Sequence, residues 1–271
     1  MIEFYKNYAY SASHDTIDIY MPSGNVYFKY SLRRLIIPYR DGGTRQNQDL
    51  WRLYELYLCK RVGDTFENIY DFPICNKGEW ECAIRIKDTP DFHGGYHGYE
   101  HQTGFDLNPT PSALEFTQYS DIIAQGTKYD VIATHKKHYV FRDGALTLTQ
   151  SVEWKKSVDI DRAYMTMLPI RRKEGDFQIT DTALYERAEY DVSEEGHNSL
   201  RSVENAKTAC IYSKKSGIFA QVSVDFPNNF SIQNTPAYNK FYFKYAWDRK
   251  TEVGEKWDVT ANYKFTYKER I

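Results

Sequence analysis

The 271-residue sequence has only four cysteines, Cys59, Cys75, Cys82 and Cys210, and no two of them form a CxxC pair. A disulfide scaffold is therefore excluded, and buried free thiols are expected. Charge of one sign is also lacking: 35 basic against 37 acidic side chains leave a formal net charge of −2. Phosphate-driven binding to a nucleic acid is not expected from such a balance. No apolar run approaches the roughly 18 residues of a membrane span, so no membrane partner is expected. Met1 to Ser11 lack an apolar signal core, which predicts synthesis in the cytoplasm, with lysis or a phage particle as routes outward. No Walker loop, GxGxxG or GxSxG occurs, which removes the simple cases of nucleotide binding and of an α/β-hydrolase. No repeat, low-complexity tract or linker interrupts the chain, and one domain over residues 1–271 is expected.

Aromatic residues are abundant, at 16% with 24 tyrosines. Tyrosine suits half-buried strands and also offers flat amphipathic faces to ligands, so it favours both a β fold and sugar contact. Turn residues recur at short intervals, as in Pro22-Ser23-Gly24-Asn25, Arg142-Asp143-Gly144 and Lys214-Lys215-Ser216-Gly217. Between them lie strand-like runs: Val26 to Tyr30, Glu79 to Ile86, Ala145 to Trp154, Tyr164 to Ile170, Gly217 to Val224, Tyr238 to Trp247 and Trp257 to Tyr267. In Ala145 to Trp154, Leu146, Leu148, Val152 and Trp154 share one parity and Thr147, Thr149 and Glu153 the other, which marks a strand with one wet face. Leu50 to Val62 fits either a helix or a strand, and its alternation favours the strand. The fold class predicted is all-β, one large antiparallel sandwich with few helices.

Three of the seven histidines fall in Asp91-Phe92-His93-Gly94-Gly95-Tyr96-His97-Gly98-Tyr99-Glu100-His101. His97 to His101 spells HxxEH, a zinc-protease motif that requires a helix. Gly94, Gly95 and Gly98 oppose one, since each interior glycine costs about 1 kcal/mol relative to alanine. In an extended chain His93, His97, Tyr99 and His101 point one way and Tyr96 and Glu100 the other. Such a face could hold a metal, since histidine spacing on loops and strands is permissive, but no cysteine or second carboxylate is fixed beside them, and the reading favoured has no metal or cofactor. The remaining readings are a solvated turn and a sugar site, and the sugar site is favoured because paired glycines let a ligand approach the backbone.

His93-Gly94-Gly95-x-x-Gly98-Tyr99 resembles the HGGxxG(F/Y) signature of the aldose 1-epimerase, or galactose mutarotase, superfamily. Val253-Gly254-Glu255-Lys256-Trp257 with Tyr263-Lys264-Phe265 is similar to that family's closing strands, and Leu146 to Pro169 to the paired strands that end in its H-x-Y-F segment. The resemblance implies an antiparallel β-supersandwich. It also implies two departures. Matching Tyr164 to the tyrosine of H-x-Y-F puts Arg162 where the family has its acid histidine, and arginine cannot serve as that acid. The run that matches the family's base, Ile218 to Val224, has no carboxylate, and Asp225 is the nearest substitute.

Ala133-Thr134-His135-Lys136-Lys137-His138-Tyr139 places two further imidazoles beside two lysines, while His197 is expected to be exposed and His14 lies near a strand start. Tyr238 to Tyr245 shares spacing with the YxKxGxYxQ strand of jelly-roll alginate lyases but lacks the glycine, and reads as a basic aromatic strand.

Three functions fit a carbohydrate ligand. The first expectation is a polysaccharide lyase acting on a uronate glycan by β-elimination, with Arg162 neutralising the carboxylate, His97 or His135 as base and Tyr99 or Tyr139 as acid. His93, Glu100, His101 and His138 would then bind substrate. The alternatives are a noncatalytic glycan-binding domain of a phage or cell-surface assembly, and an epimerase-like sugar isomerase.

Overall fold

The structure is a computed structural model and describes residues 1–39, 47–76, 78, 80–87, 99–124, 127–185, 187–196 and 203–269. Among these residues there is no α-helix. The strands form a 15-stranded sheet, a 5-stranded sheet and a two-stranded ribbon. The large sheet runs from Glu3–Phe4 at one edge through Ala9–Ala12, Thr16–Ser23, Val26–Ile37 and Gln48–Val62. It continues through Glu100–Pro109, Leu114–Ile123, Val131–Arg142 and Ala145–Trp154 to Lys256–Tyr267, then Ile218–Val224, Thr208–Tyr212, Thr182–Tyr185 and Ala188–Asp191, and the fifteenth strand, Thr65–Asn68, pairs with Gln48–Val62 off this path. The smaller sheet has the order Val203–Glu204, Asn229–Asn234, Tyr238–Lys250, Asp159–Arg171, Ala83–Ile86. Pairing is antiparallel throughout the described strands except for one parallel register, Asp49 with His101.

The expected alternation builds the layers. Leu146, Leu148, Val152 and Trp154 are fully buried, and Thr149 on the opposite face is exposed. The ambiguous segment is a strand, Gln48–Val62, whose Leu50, Leu53, Leu56 and Leu58 enter the core. A helix there would have left this sheet without a link between Val26–Ile37 and Glu100–Pro109. Leu32, Leu53, Tyr139 and Phe141 of the large sheet share one hydrophobic core with Met165, Leu168, Phe241 and Phe243 of the smaller one. Removing such side chains from water is the main favourable term in forming a sandwich.

Two buried glutamines replace missing ladder bonds. Gln118 accepts from the Trp51 amide (2.6 Å) and donates to the Trp51 carbonyl (3.2 Å), beside the seam where the parallel pairing stops. Gln150 crosses between the sheets, accepting from the Cys82 amide at 2.9 Å and donating to the Met165 carbonyl. An unpaired backbone group in such a place would cost about 1 to 3 kcal/mol. No disulfide forms among the described residues, where Cys59, Cys75 and Cys82 are buried and Cys210 partly so.

Candidate functional site

Two clusters of polar side chains flank the smaller sheet, one beneath it and one on its outer face. The inner cluster grows from the strand Val131–Arg142, whose alternation turns His135, Lys137 and Tyr139 inward and Lys136 and His138 outward. Glu100, at the start of Glu100–Pro109, meets them. Its Oε1 accepts from His135 Nδ1 (3.0 Å) and from the Ser120 hydroxyl, and it forms an ion pair with Lys137 Nζ at 2.7 Å. Arg52 spans two carboxylates, with Nη2 at 3.6 Å from Glu100 Oε2 and Nη1 at 3.6 Å from Glu81 Oε2. Glu81 Oε1 in turn accepts from the Leu53 amide (2.9 Å) and the Tyr139 hydroxyl (2.8 Å).

Two cations therefore balance two anions in the interior, which is how buried charge is tolerated. Burial alone would raise the Glu100 pKa, but Lys137, His135 and Arg52 hold it well below the ordinary carboxylate range. For His135, burial dominates and lowers the pKa against the opposing pull of Glu100. The imidazole is thus neutral near pH 7. With Glu100 ionised and acceptor-only, the ring proton sits on Nδ1 and the lone pair on Nε2. Nε2 is buried without a hydrogen-bond partner among the described residues. The ring lines a small cavity with Glu100, Tyr99, Cys82, Ile84 and Ile123.

On the outer face the register of Asp159–Arg171 against its neighbours sets a different group side by side. Arg162 lies opposite Arg85 on one side and Trp247 on the other, and Tyr164 lies opposite Lys244. Core residues Ala163, Ala246 and Ile84 share the complementary register, so the Arg162 row faces away from the core. Tyr164 and Tyr242 pack at 4.8 Å between centroids, and Lys244 Nζ stands 5.0 Å from the Trp247 ring, whose residue is 50% exposed. The Tyr242 hydroxyl donates to Gln233 (2.8 Å). Asp161 Oδ2 serves two guanidinium groups, Arg162 Nε at 2.9 Å and Arg85 Nε at 3.2 Å. Contact with Tyr164, more than with Asp161, raises the Arg162 pKa still further above neutrality.

The sequence-predicted residues divide between these places. Tyr99, Glu100 and His135 converge on the inner cavity. Tyr139 is close by but fully buried, its hydroxyl given to Glu81 and its pKa pushed well above the phenol range by burial and then by Glu81, which removes it as an exposed proton donor. Glu100 has its Oε1 engaged by His135, Ser120 and Lys137, while its Oε2 stands 3.6 Å from Arg52. His101 bonds Asn47 Oδ1 through Nε2 at 2.8 Å. His138 faces outward on the large sheet, where it bonds Thr117 at 2.8 Å and stands 3.7 Å from Glu115. His93 and His97 lie outside the described residues.

Arg162 and His135 are on opposite sides of the smaller sheet, because Ile84 faces the cavity of His135 while its neighbour Arg85 pairs with Arg162. The cation, base and acid expected for β-elimination are thus not brought together among the described residues. Sequence reasoning missed Arg52, Glu81, Lys137, Lys244 and Trp247. Of these, only Lys244 and Trp247 carried a signal, through the basic aromatic strand that holds them.

The sequence matches no protein-family model and no curated protein. In structure the chain is similar to the Slr1438 protein from Synechocystis sp. PCC 6803, with 9% identity and a TM-score of 0.50 over 96% of this chain and 100% of that one. It is also similar to a galactose mutarotase-like protein from Clostridium acetobutylicum, with 10% identity and a TM-score of 0.49 over 96% and 98% of the two chains. A galactose 1-epimerase from Lactobacillus acidophilus NCFM matches at 9% identity and a TM-score of 0.43, over 97% and 99%. The fold is an all-β antiparallel supersandwich, the architecture it shares with the Slr1438 protein. At such identities the likeness defines the architecture, and function is argued from the site.

Proposed function

We propose that the protein recognises a carbohydrate on the outer face of the smaller sheet. The observation that carries this reading is the row of Tyr164, Tyr242 and half-exposed Trp247 on one side of two paired strands, with Arg162, Lys244 and Gln233 among them. Aromatic faces pack against the C–H surface of a sugar ring while the polar groups between them bond its hydroxyls. Arg162 occupies the position that the family resemblance gives to a proton-donating histidine, which favours binding over ring-opening chemistry there. Trp247→Ala should weaken retardation of the protein in gels containing its polysaccharide about tenfold or more, with unfolding unchanged. Unaltered retardation in that variant would remove the face from the reading.

A second reading, an epimerase-like enzyme, is favoured by one observation: the partnerless Nε2 of His135 beside a cavity. A neutral imidazole oriented by a carboxylate is a competent general base. Polarimetry of freshly dissolved aldoses tests it. Acceleration of the rotation change by the wild type and its loss in His135→Asn are expected on this reading, and equal rates with and without protein would eliminate it.

A further inference from the structure

We propose that the carbohydrate taken on this face bears an acid group, a carboxylate or a sulfate, and that Lys244 receives it beside the Trp247 ring. The inference rests on the carbohydrate reading above and adds to it the class of sugar and the residue that selects it.

The first support is the local count of charge. Arg85, Arg162 and Lys244 share the neighbourhood of one carboxylate, Asp161, which is already bonded to both guanidinium groups. The nearby Lys87 is matched by its own partner, Asp248. The chain as a whole has a slight negative excess, so the positive surplus counted among the described residues of this face is a local one. Lys244 is the cation left over: among the described residues it has no ion-pair partner, and its ammonium stands 5.0 Å from the centre of the Trp247 ring. Burial, and then the Arg162 charge, lower its pKa, with Asp161 opposing. A bound anion would relieve that like-charge repulsion.

The second support is geometric. Lys244 lies opposite Tyr164 and three residues before Trp247 on one strand. A sugar packed on the Trp247 ring would therefore bring a ring substituent within reach of the ammonium. Arg162, the residue that sequence reasoning gave to the acid group, has its Nε committed to Asp161 at 2.9 Å. Its part is to hold Asp161 and to add to the field around Lys244.

The test uses the full chain and four polymers: polygalacturonate, its carboxyl-reduced form, dextran sulfate and dextran. Dissociation constants from gel retardation are compared for the wild type, Lys244→Gln, Lys244→Arg and a charge control, Lys264→Gln, on an exposed strand position of the large sheet. At least one acidic polymer should bind about tenfold or more tightly than its uncharged counterpart. Lys244→Gln should erase that preference, while Lys244→Arg and Lys264→Gln keep it. Preference for polygalacturonate identifies a carboxylate and preference for dextran sulfate a sulfate. Equal binding of acidic and uncharged forms overturns the acid-group inference while leaving the carbohydrate reading standing, as does equal loss in Lys244→Gln and Lys264→Gln. Absence of binding to all four overturns both.

Discussion

The inner and outer clusters use the same kinds of side chain, arginine, lysine, carboxylate and tyrosine, on opposite sides of the smaller sheet, and they treat charge in opposite ways. Inside, Arg52 and Lys137 meet Glu81 and Glu100, two charges against two, and Tyr139 and Ser120 each donate a hydrogen bond to one of the carboxylates. Outside, three cations gather near Asp161, and the Trp247 residue is half exposed. An unmatched charge is intolerable in a core and inexpensive at a surface, where water solvates it until a ligand arrives. The inner cluster is accordingly a determinant of stability, and the outer one a place for a ligand.

The largest effect should come from breaking the inner balance. Glu100→Ala leaves Lys137 buried against Arg52 without the carboxylate between them, and should cost about 3 to 5 kcal/mol in urea-induced unfolding. Combining it with Lys137→Met should restore much of that loss, because the stranded charge goes too. A Glu100→Ala protein as stable as wild type would show that the cluster is not the balanced network described.

Acidification probes the same cluster. The folded-state pKa of His135 is depressed, so below the imidazole's unfolded value of about 6.5 the unfolded chain binds a proton that the folded chain refuses. Stability should be complete above that pH and decline as pH falls toward the folded value. Glu100 adds a second decline, starting near the ordinary carboxylate range and extending to its own depressed pKa, since only the unfolded chain protonates readily there. Denaturation midpoints measured from pH 8 to pH 4 should fall monotonically in the wild type. In His135→Asn the segment of the fall nearest pH 6 should be absent, and its persistence would assign it to another group.

Tyr139→Phe removes one donor from Glu81 and should cost about 1 kcal/mol, again by urea unfolding. Smallest of all should be the effect of Trp247→Ala on stability, within about 0.5 kcal/mol, since half of the residue already faces water. The same variant should show the large loss of glycan affinity. This inversion between the two clusters, stability without affinity inside and affinity without stability outside, is what calorimetry and gel retardation on one set of variants would establish or break.

Much of the architecture was legible from residue order. Alternation in Ala145–Trp154 and turn residues such as Asp143-Gly144 mark strands and hairpins by local sterics, and the observed strand has the expected bounds. The basic aromatic strand from Tyr238 was also legible, and its period of two already separates Tyr242 and Lys244 from Phe241 and Phe243. The interior charges were not. Arginine, lysine and glutamate are surface residues by default, and nothing local to Arg52 or Lys137 shows that its counterion waits 29 to 48 positions along the chain, at Glu81 and Glu100.

By itself the sequence determined the β class, the hairpin spacing and which side chains share a face of each strand, because these depend on backbone sterics and a repeat of two residues. Only the tertiary structure decided which strands become neighbours. It put Glu100 against His135 and Lys137, and it put Arg162 on the far side of the smaller sheet from that histidine. Such pairings are selected by burial of whole sheet faces, a long-range term that local pattern does not encode.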